Sequence, residues 1–118
     1  MPRTAFIDDF TGWIEAHLDT HIPFIASLEG DPVGMAWLAI VERMPRPGAW
    51  ARLCGHLLSV YVVDSHRNHG LGAELVDAVL AEARRRGLGY VLVHPSQRAV
   101  SLYRRAGFGE SDLLKIGF

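Results

Sequence analysis

The sequence predicts an α/β fold, a mixed β-sheet with helices packed on it, and three observations carry that prediction. Helix-period and strand-period segments follow one another in the order helix, strand, strand, strand, helix, strand, helix, strand. A long amphipathic helix joins two apolar strand runs, and such a crossover sets its two strands parallel. The 118 residues are 49% hydrophobic and 21% charged, which supports one real core and argues against disorder. That length holds one domain, spanning residues 1–118.

Each element has its own warrant. Phe6, Ile7, Phe10, Ile14 and Leu18 recur at spacings of three and four, predicting a helix over Thr4 to Leu18 that Gly12 weakens. Phe24 to Leu28 is a short apolar run, and Glu29-Gly30-Asp31-Pro32 is a turn signal. Val33 to Val41 completes an antiparallel hairpin. Pro45 to Gly48 break the pattern, and a loop runs on through Arg52. Leu53 to Val63 is the next strand, with Gly55 as a site of irregularity.

The clearest helix is Gly70 to Arg86. Leu71, Leu75, Val79 and Ala83 form its ridge, with Glu74 and Asp77 early and Arg84 to Arg86 late, as the macrodipole favours. Gly87 stops it. Tyr90 to Val93 is a buried strand, Gln97 to Ala106 a helix ended by Gly107, and Leu113 to Phe118 a last strand.

Composition excludes several classes. The formal net charge is -1, which argues against a nonspecific nucleic-acid binder. No apolar stretch approaches the roughly 18 residues needed to span a bilayer. Met1 to Phe10 lacks the basic-then-apolar run of a signal peptide, so the expected location is cytoplasmic. One cysteine, Cys54, leaves no internal disulfide and no cysteine-based zinc site. His17 and His21 have helical metal-ligand spacing but no third ligand, so no metal is expected. Charge is segregated: residues 1–42 hold one basic side chain against seven acidic ones, and residues 43–118 hold eleven against six. The segregation fits either solvated faces or an anionic ligand held by the second part of the chain.

The chemistry concentrates in Arg67-Asn68-His69-Gly70-Leu71-Gly72, between a strand and the long helix. A helix start offers unpaired N–H groups and partial positive charge to a phosphate. Gly70 and Gly72 allow close backbone approach, and Arg67 adds a charged donor. No Lys-Ser or Lys-Thr follows, so this is not a nucleoside-triphosphate loop, and the third glycine of a dinucleotide fingerprint is missing.

Strand Leu58 to Val63 followed by Arg67-x-x-Gly70-x-Gly72, with Ala99-x-x-Leu102-Tyr103-x-x-x-Gly107-Phe108 further on, resembles the GNAT superfamily of N-acyltransferases over residues 24–118. The resemblance implies a GNAT-like mixed central sheet flanked by helices, N-terminally short, because no first strand precedes the opening helix. It implies acetyl-coenzyme A as cosubstrate in a V-shaped opening between Leu57 to Val63 and Tyr90 to Val93. Backbone groups of Val60, Tyr61 and Val62 would pair with the pantetheine arm. Amides of Asn68, His69, Gly70, Leu71, Gly72 and Ala73 would hold the pyrophosphate, with Arg67 nearby. Ser96 stands where the family often has an asparagine that orients the cofactor, and a serine there can instead cap the helix.

By the same resemblance, Tyr103 is the general acid that protonates the departing thiolate. The base for the attacking amine stays open among Glu42, His56 and an ordered water. Cys54 has no identifiable activating base, and Trp13, Trp37 and Trp50 are expected in the core or a groove wall. The expected function is acetyl transfer from acetyl-coenzyme A to a primary amine of an unidentified acceptor, by direct attack in a ternary complex. A non-catalytic acyl-coenzyme A-binding module and a peptide-binding interaction domain are the alternatives. An unprotected sheet edge and the apolar final strand further suggest a homodimer.

Overall fold

The computed structural model describes residues 3–118. Its elements run α1 (Arg3–Ala16), β1 (His21–Leu28), β2 (Asp31–Arg43), β3 (Arg52–Val62), α2 (Leu71–Arg85), β4 (Val91–Val93) and α3 (Val100–Arg105), with short 3-10 turns at Asp64–His66 and Gln97–Ala99. The sheet order is β1-β2-β3-β4. The first two pairings are antiparallel and β3 pairs with β4 in parallel, as the crossover through α2 requires.

The β1–β2 hairpin closes on the Leu28–Asp31 pair through Glu29 and Gly30, which adopt φ of 52° and 86°. Two positive φ values match the turn to the right-handed twist of the strands. On one sheet face, Ala36, Leu38 and Leu57 pack against Leu75, Val76, Val79 and Ala83 of α2 and Tyr103 of α3. Gly55 lets that layer pack closely: a Cβ there would meet Leu38 Cδ1 at 2.8 Å and Leu88 Cδ1 at 2.9 Å, so both leucine ends would have to shift. Helix α2 ends in a Schellman motif, with Leu88 N–H donating to the Ala83 carbonyl and Gly87 N–H to that of Arg84.

Three expectations are corrected. Helix α1 stops at Ala16 rather than Leu18, because backbone bonds at His17, Thr20 and His21 turn the chain into β1. Phe10 stacks on Trp37, which points to the face opposite α2, yet Phe6, Ile7, Phe10, Trp13 and Leu18 all stay exposed. The apolar stripe of α1 is thus only partly covered by the sheet. The predicted strand Leu113–Phe118 is not part of the sheet. The segment pairs with no strand, although the outer edge of β4 is free, and Leu113 N–H donates to Ser111 Oγ instead. Trp50 is 83% exposed on the β2–β3 loop, outside any core or groove wall.

Candidate functional site

The site begins with an irregularity in β3. Trp37 pairs with Leu58 and Met35 with Tyr61, so Ser59 and Val60 together stand opposite Ala36. This β-bulge holds Ser59 at φ 52°, a conformation that costs a non-glycine residue about 1 kcal/mol. It also resets the pleat: Val60 and Val62 pack toward the core and Tyr61 is exposed. Pairing with β4 ends at Leu57–Val93. From Leu58 to Val62 the edge of β3 therefore has no strand beside it.

That free edge borders a cleft of about 490 Å³. Val60, Tyr61 and Val62 form one wall, Arg67, Asn68 and Gly70 to Ala73 the floor, and Ser96 with the face of α3 the other wall. Gly70 caps α2 in the left-handed conformation at φ 82°, and Asn68 is also left-handed at 65°. The first residues of α2 line the cleft, which sets the unpaired N–H groups of a helix start beside it, and Gly72 adds no side chain there. His69 is exposed and does not line the cleft. Ser96 makes no side-chain cap bond, and its carbonyl accepts the Ala99 N–H instead.

Arg67 is already engaged. Its Nε donates to the Val62 carbonyl at 2.9 Å, its Nη1 pairs with Asp64 at 2.8 Å, and its guanidinium lies 5.4 Å from the Tyr61 ring centroid. It braces the end of β3 against the glycine turn. The sequence reading missed Arg98 and Arg105, which line the same cleft and join no ion pair among the described residues. Arg98 lies on the 3-10 turn and Arg105 at the end of α3, and their spacing of seven within the helix expected over Gln97 to Ala106 is the sequence signal for a shared face.

Tyr103 lies behind the cleft wall formed by Leu102. It is buried at 7% exposure, meets Phe108 edge-on at 5.6 Å, and lines a separate cavity of about 360 Å³ along Val91 to Val93. Burial pushes its phenol pKa above the usual 10. The two base candidates fare differently. Glu42 pairs with Leu53, six residues before Ser59, which is about 20 Å along the strand. His56 pairs with Ala39 and is exposed about 10 Å from Ser59 by the same rise. The structure does not bring Glu42 to the bulge.

The remaining polar residues have structural roles. Cys54 is buried, and the neighbouring thiol together with burial raises the pKa of the Tyr90 phenol. His17 Nδ1 approaches the Trp13 carbonyl at 2.6 Å and His21 Nδ1 approaches Thr20 Oγ1 at 2.9 Å. Among the described residues, no group of three potential ligands is placed to hold a metal. Nor is any helix among them long and apolar enough to cross a membrane.

The model of the acetyltransferase (GNAT) family matches residues 2–108. The chain belongs to this family. Among solved structures, a GCN5-related N-acetyltransferase from Ralstonia eutropha is 26% identical, with a TM-score of 0.77 over 98% of this chain and 77% of that one. Glucosamine-6-phosphate N-acetyltransferase from Arabidopsis thaliana shares the fold at 18% identity and a TM-score of 0.79, covering 94% and 75%. An acetyltransferase from Clostridium acetobutylicum, solved with acetyl-CoA, shares it at 18% and 0.79, covering 99% and 78%. No curated protein matches this chain in sequence. Membership of the GNAT family indicates acetyl transfer as the chemistry.

Proposed function

We propose that this GNAT chain moves the acetyl group of acetyl-CoA to a primary amine, by direct attack within a ternary complex. The observation that carries the reading is the joining of two complementary surfaces in one cleft. The unpaired β3 edge from Leu58 to Val62 suits the amides of a pantetheine arm, and the α2 start suits a pyrophosphate. In this reading Val60, Tyr61 and Val62 hold the arm, while amides of the Asn68–Ala73 turn, chiefly Gly70 to Ala73, hold the diphosphate. Arg98 and Arg105 supply the charge that Arg67, spent on Val62 and Asp64, does not. Ser96 offers one hydroxyl to the arm.

The bulge sets the chemistry. An N–H near Val60 or Val62 polarises the thioester carbonyl. The amine nitrogen attacks the carbonyl carbon, a C–N bond forms, and the C–S bond breaks with its electron pair going to sulfur. In this reading Tyr103, kept protonated by burial, is the acid for that thiolate, acting from the adjoining cavity along Val91 to Val93. The amine gives up its proton to water or to His56, the nearer of the two side-chain candidates. Enzymes gain most of this rate from holding thioester and amine in contact, which one cleft can do.

The experiment is a thiol-release assay with acetyl-CoA across a panel of primary amines, run on the wild type and on Gly72→Glu. Release that depends on amine and is lost in the variant supports the reading. Binding of acetyl-CoA without turnover on any amine supports a non-catalytic module, and absence of binding at millimolar cofactor supports a peptide-binding domain.

A further inference from the structure

The far end of the β2–β3 hairpin carries a cluster of cations that no acid answers. Arg43 and Arg52 stand directly opposite each other across the two strands, and so on one sheet face. Like charges in that position repel. Arg46 follows in a turn through Pro47 and Gly48, closed by two backbone bonds with Ala49 at 3.2 and 2.9 Å and by Gly48 at φ 80°. Residues 43–52 contain these three arginines and no acidic residue. Glu42 pairs with Leu53, so its side chain leaves the opposite face. None of the three arginines joins an ion pair among the described residues.

Repelling guanidiniums on flexible stems ordinarily swing apart into water. Two of these are held. The Arg43 guanidinium lies 5.0 Å from the Tyr90 ring centroid, and Arg52 Nη1 donates to the Met44 carbonyl at 2.9 Å. Both side chains are half-buried. The pKa of Arg52 is lowered from its ordinary value, first by burial and then by the charges of Arg43 and Arg46. Arg84 of α2 lines the same cavity of about 940 Å³ that Arg43 and Tyr90 border, and it too joins no ion pair among the described residues. The acids of that cavity, Glu110 and Asp112, belong to the segment after α3, and Glu110 is engaged by Arg104.

We propose that Arg43, Arg46 and Arg52 form a binding site for the phosphate group of a small soluble molecule, separate from the acetyl-transfer cleft. Phosphate suits the cluster better than a carboxylate does. Its two negative charges and several free oxygens can meet three guanidinium forks, whereas one carboxylate leaves most of the repulsion in place. Arg52 is seven residues before Ser59, about 24 Å along β3, so the cluster does not share a ligand with the start of α2. Met44 and Trp50, both exposed on the same loop, offer apolar surface to the rest of a phosphate ester.

The test is a titration of the full chain with inorganic phosphate and with phenyl phosphate at constant ionic strength. It is read by NMR at the Nε–H groups of Arg43 and Arg52 and at the Trp50 indole, so that binding at the α2 start is seen separately. Both probes give saturable shifts at the two arginines with millimolar affinity, and both raise the urea midpoint. Chloride gives neither effect. Arg46→Gln, at an exposed side chain, keeps the circular dichroism spectrum, weakens phosphate at least about 10-fold and loses most of the stabilisation. Tighter binding of phenyl phosphate, with movement of the Trp50 indole, identifies an organic ester as the source, and equal affinities identify free phosphate. No saturable shift up to about 50 mM phosphate overturns the proposal. So does a response that chloride reproduces, or an affinity unchanged in Arg46→Gln.

Discussion

Replacing Tyr103 by Phe separates the two roles that a buried tyrosine on α3 can have. The side chain is 7% exposed and its ring packs on Phe108, so most of its stabilising contact is aromatic. The hydroxyl makes no hydrogen bond to any described residue. No buried side-chain oxygen among those residues is left unsatisfied, so this hydroxyl reaches open space. Removing it changes unfolding free energy by less than about 1 kcal/mol. Loss of a general acid lowers turnover by about 10² to 10⁴, or about 3 to 5.5 kcal/mol of barrier. Truncation to Ala would instead cost about 3 to 5 kcal/mol of stability and blur the comparison. The assay pairs urea unfolding with thiol release at saturating acetyl-CoA and amine. Because burial raises the phenol pKa, Tyr103 stays protonated below pH 10, and the wild type shows no loss of its acid across pH 6 to 9. The same raised value leaves the stability due to this group intact below about pH 10, to be lost as pH climbs through the folded-state pKa. Wild-type turnover in Tyr103→Phe, with thiol departure still rate-limiting, would falsify the assignment.

Further outcomes follow from the same geometry. Gly72→Glu puts a carboxylate where the α2 amides face the cleft, and calorimetry shows coenzyme A affinity falling at least about 100-fold. The fold survives, because a Cβ at Gly72 meets Leu102 Cδ2 at an ordinary 3.5 Å; unchanged affinity in the folded variant rejects the diphosphate assignment. Ser59→Gly relieves the φ of 52° and raises stability in urea by up to about 1 kcal/mol, whereas a loss contradicts the strain ascribed to the bulge. Glu82 is held down to about 2, first by its hydrogen bond to Arg85 and then by that to Arg86. Its contribution is present above the unfolded carboxylate pKa and fades as pH falls toward about 2. Carboxyl NMR that places the Glu82 midpoint near 4.5 contradicts this.

Much of the frame was legible because local chemistry determined it. Glu29-Gly30 demanded a tight turn, the Leu71–Ala83 ridge and its flanking charges marked α2 to within a residue at each end, and the crossover dictated a parallel β3–β4 pair. The glycines after Arg67 pointed to a helix start that lines a cleft. The bulge was not legible, since Leu58-Ser59-Val60-Tyr61 carries no glycine to mark it and its position depends on register with β2. Distance along a strand was also hidden, which is why Glu42 and His56 looked equivalent until pairing placed one about 20 Å from Ser59 and the other about 10 Å. Arg67 looked free because its partners, the Val62 carbonyl and Asp64, belong to a turn whose geometry only the fold defines. The stripe on α1 and the alternation in 113–118 each announced an apolar face, and neither says what it meets.

Transfer itself is tested most directly by a single-turnover reaction with acetyl-labelled acetyl-CoA, one accepted amine and enzyme in excess, quenched and followed by mass spectrometry. Direct attack at the bulge predicts labelled amide and free coenzyme A appearing together in equal amounts, with the protein mass unshifted throughout. An acetylated protein that forms before the amide and decays into it would contradict the ternary-complex account. So would binding of acetyl-CoA with no labelled amide formed.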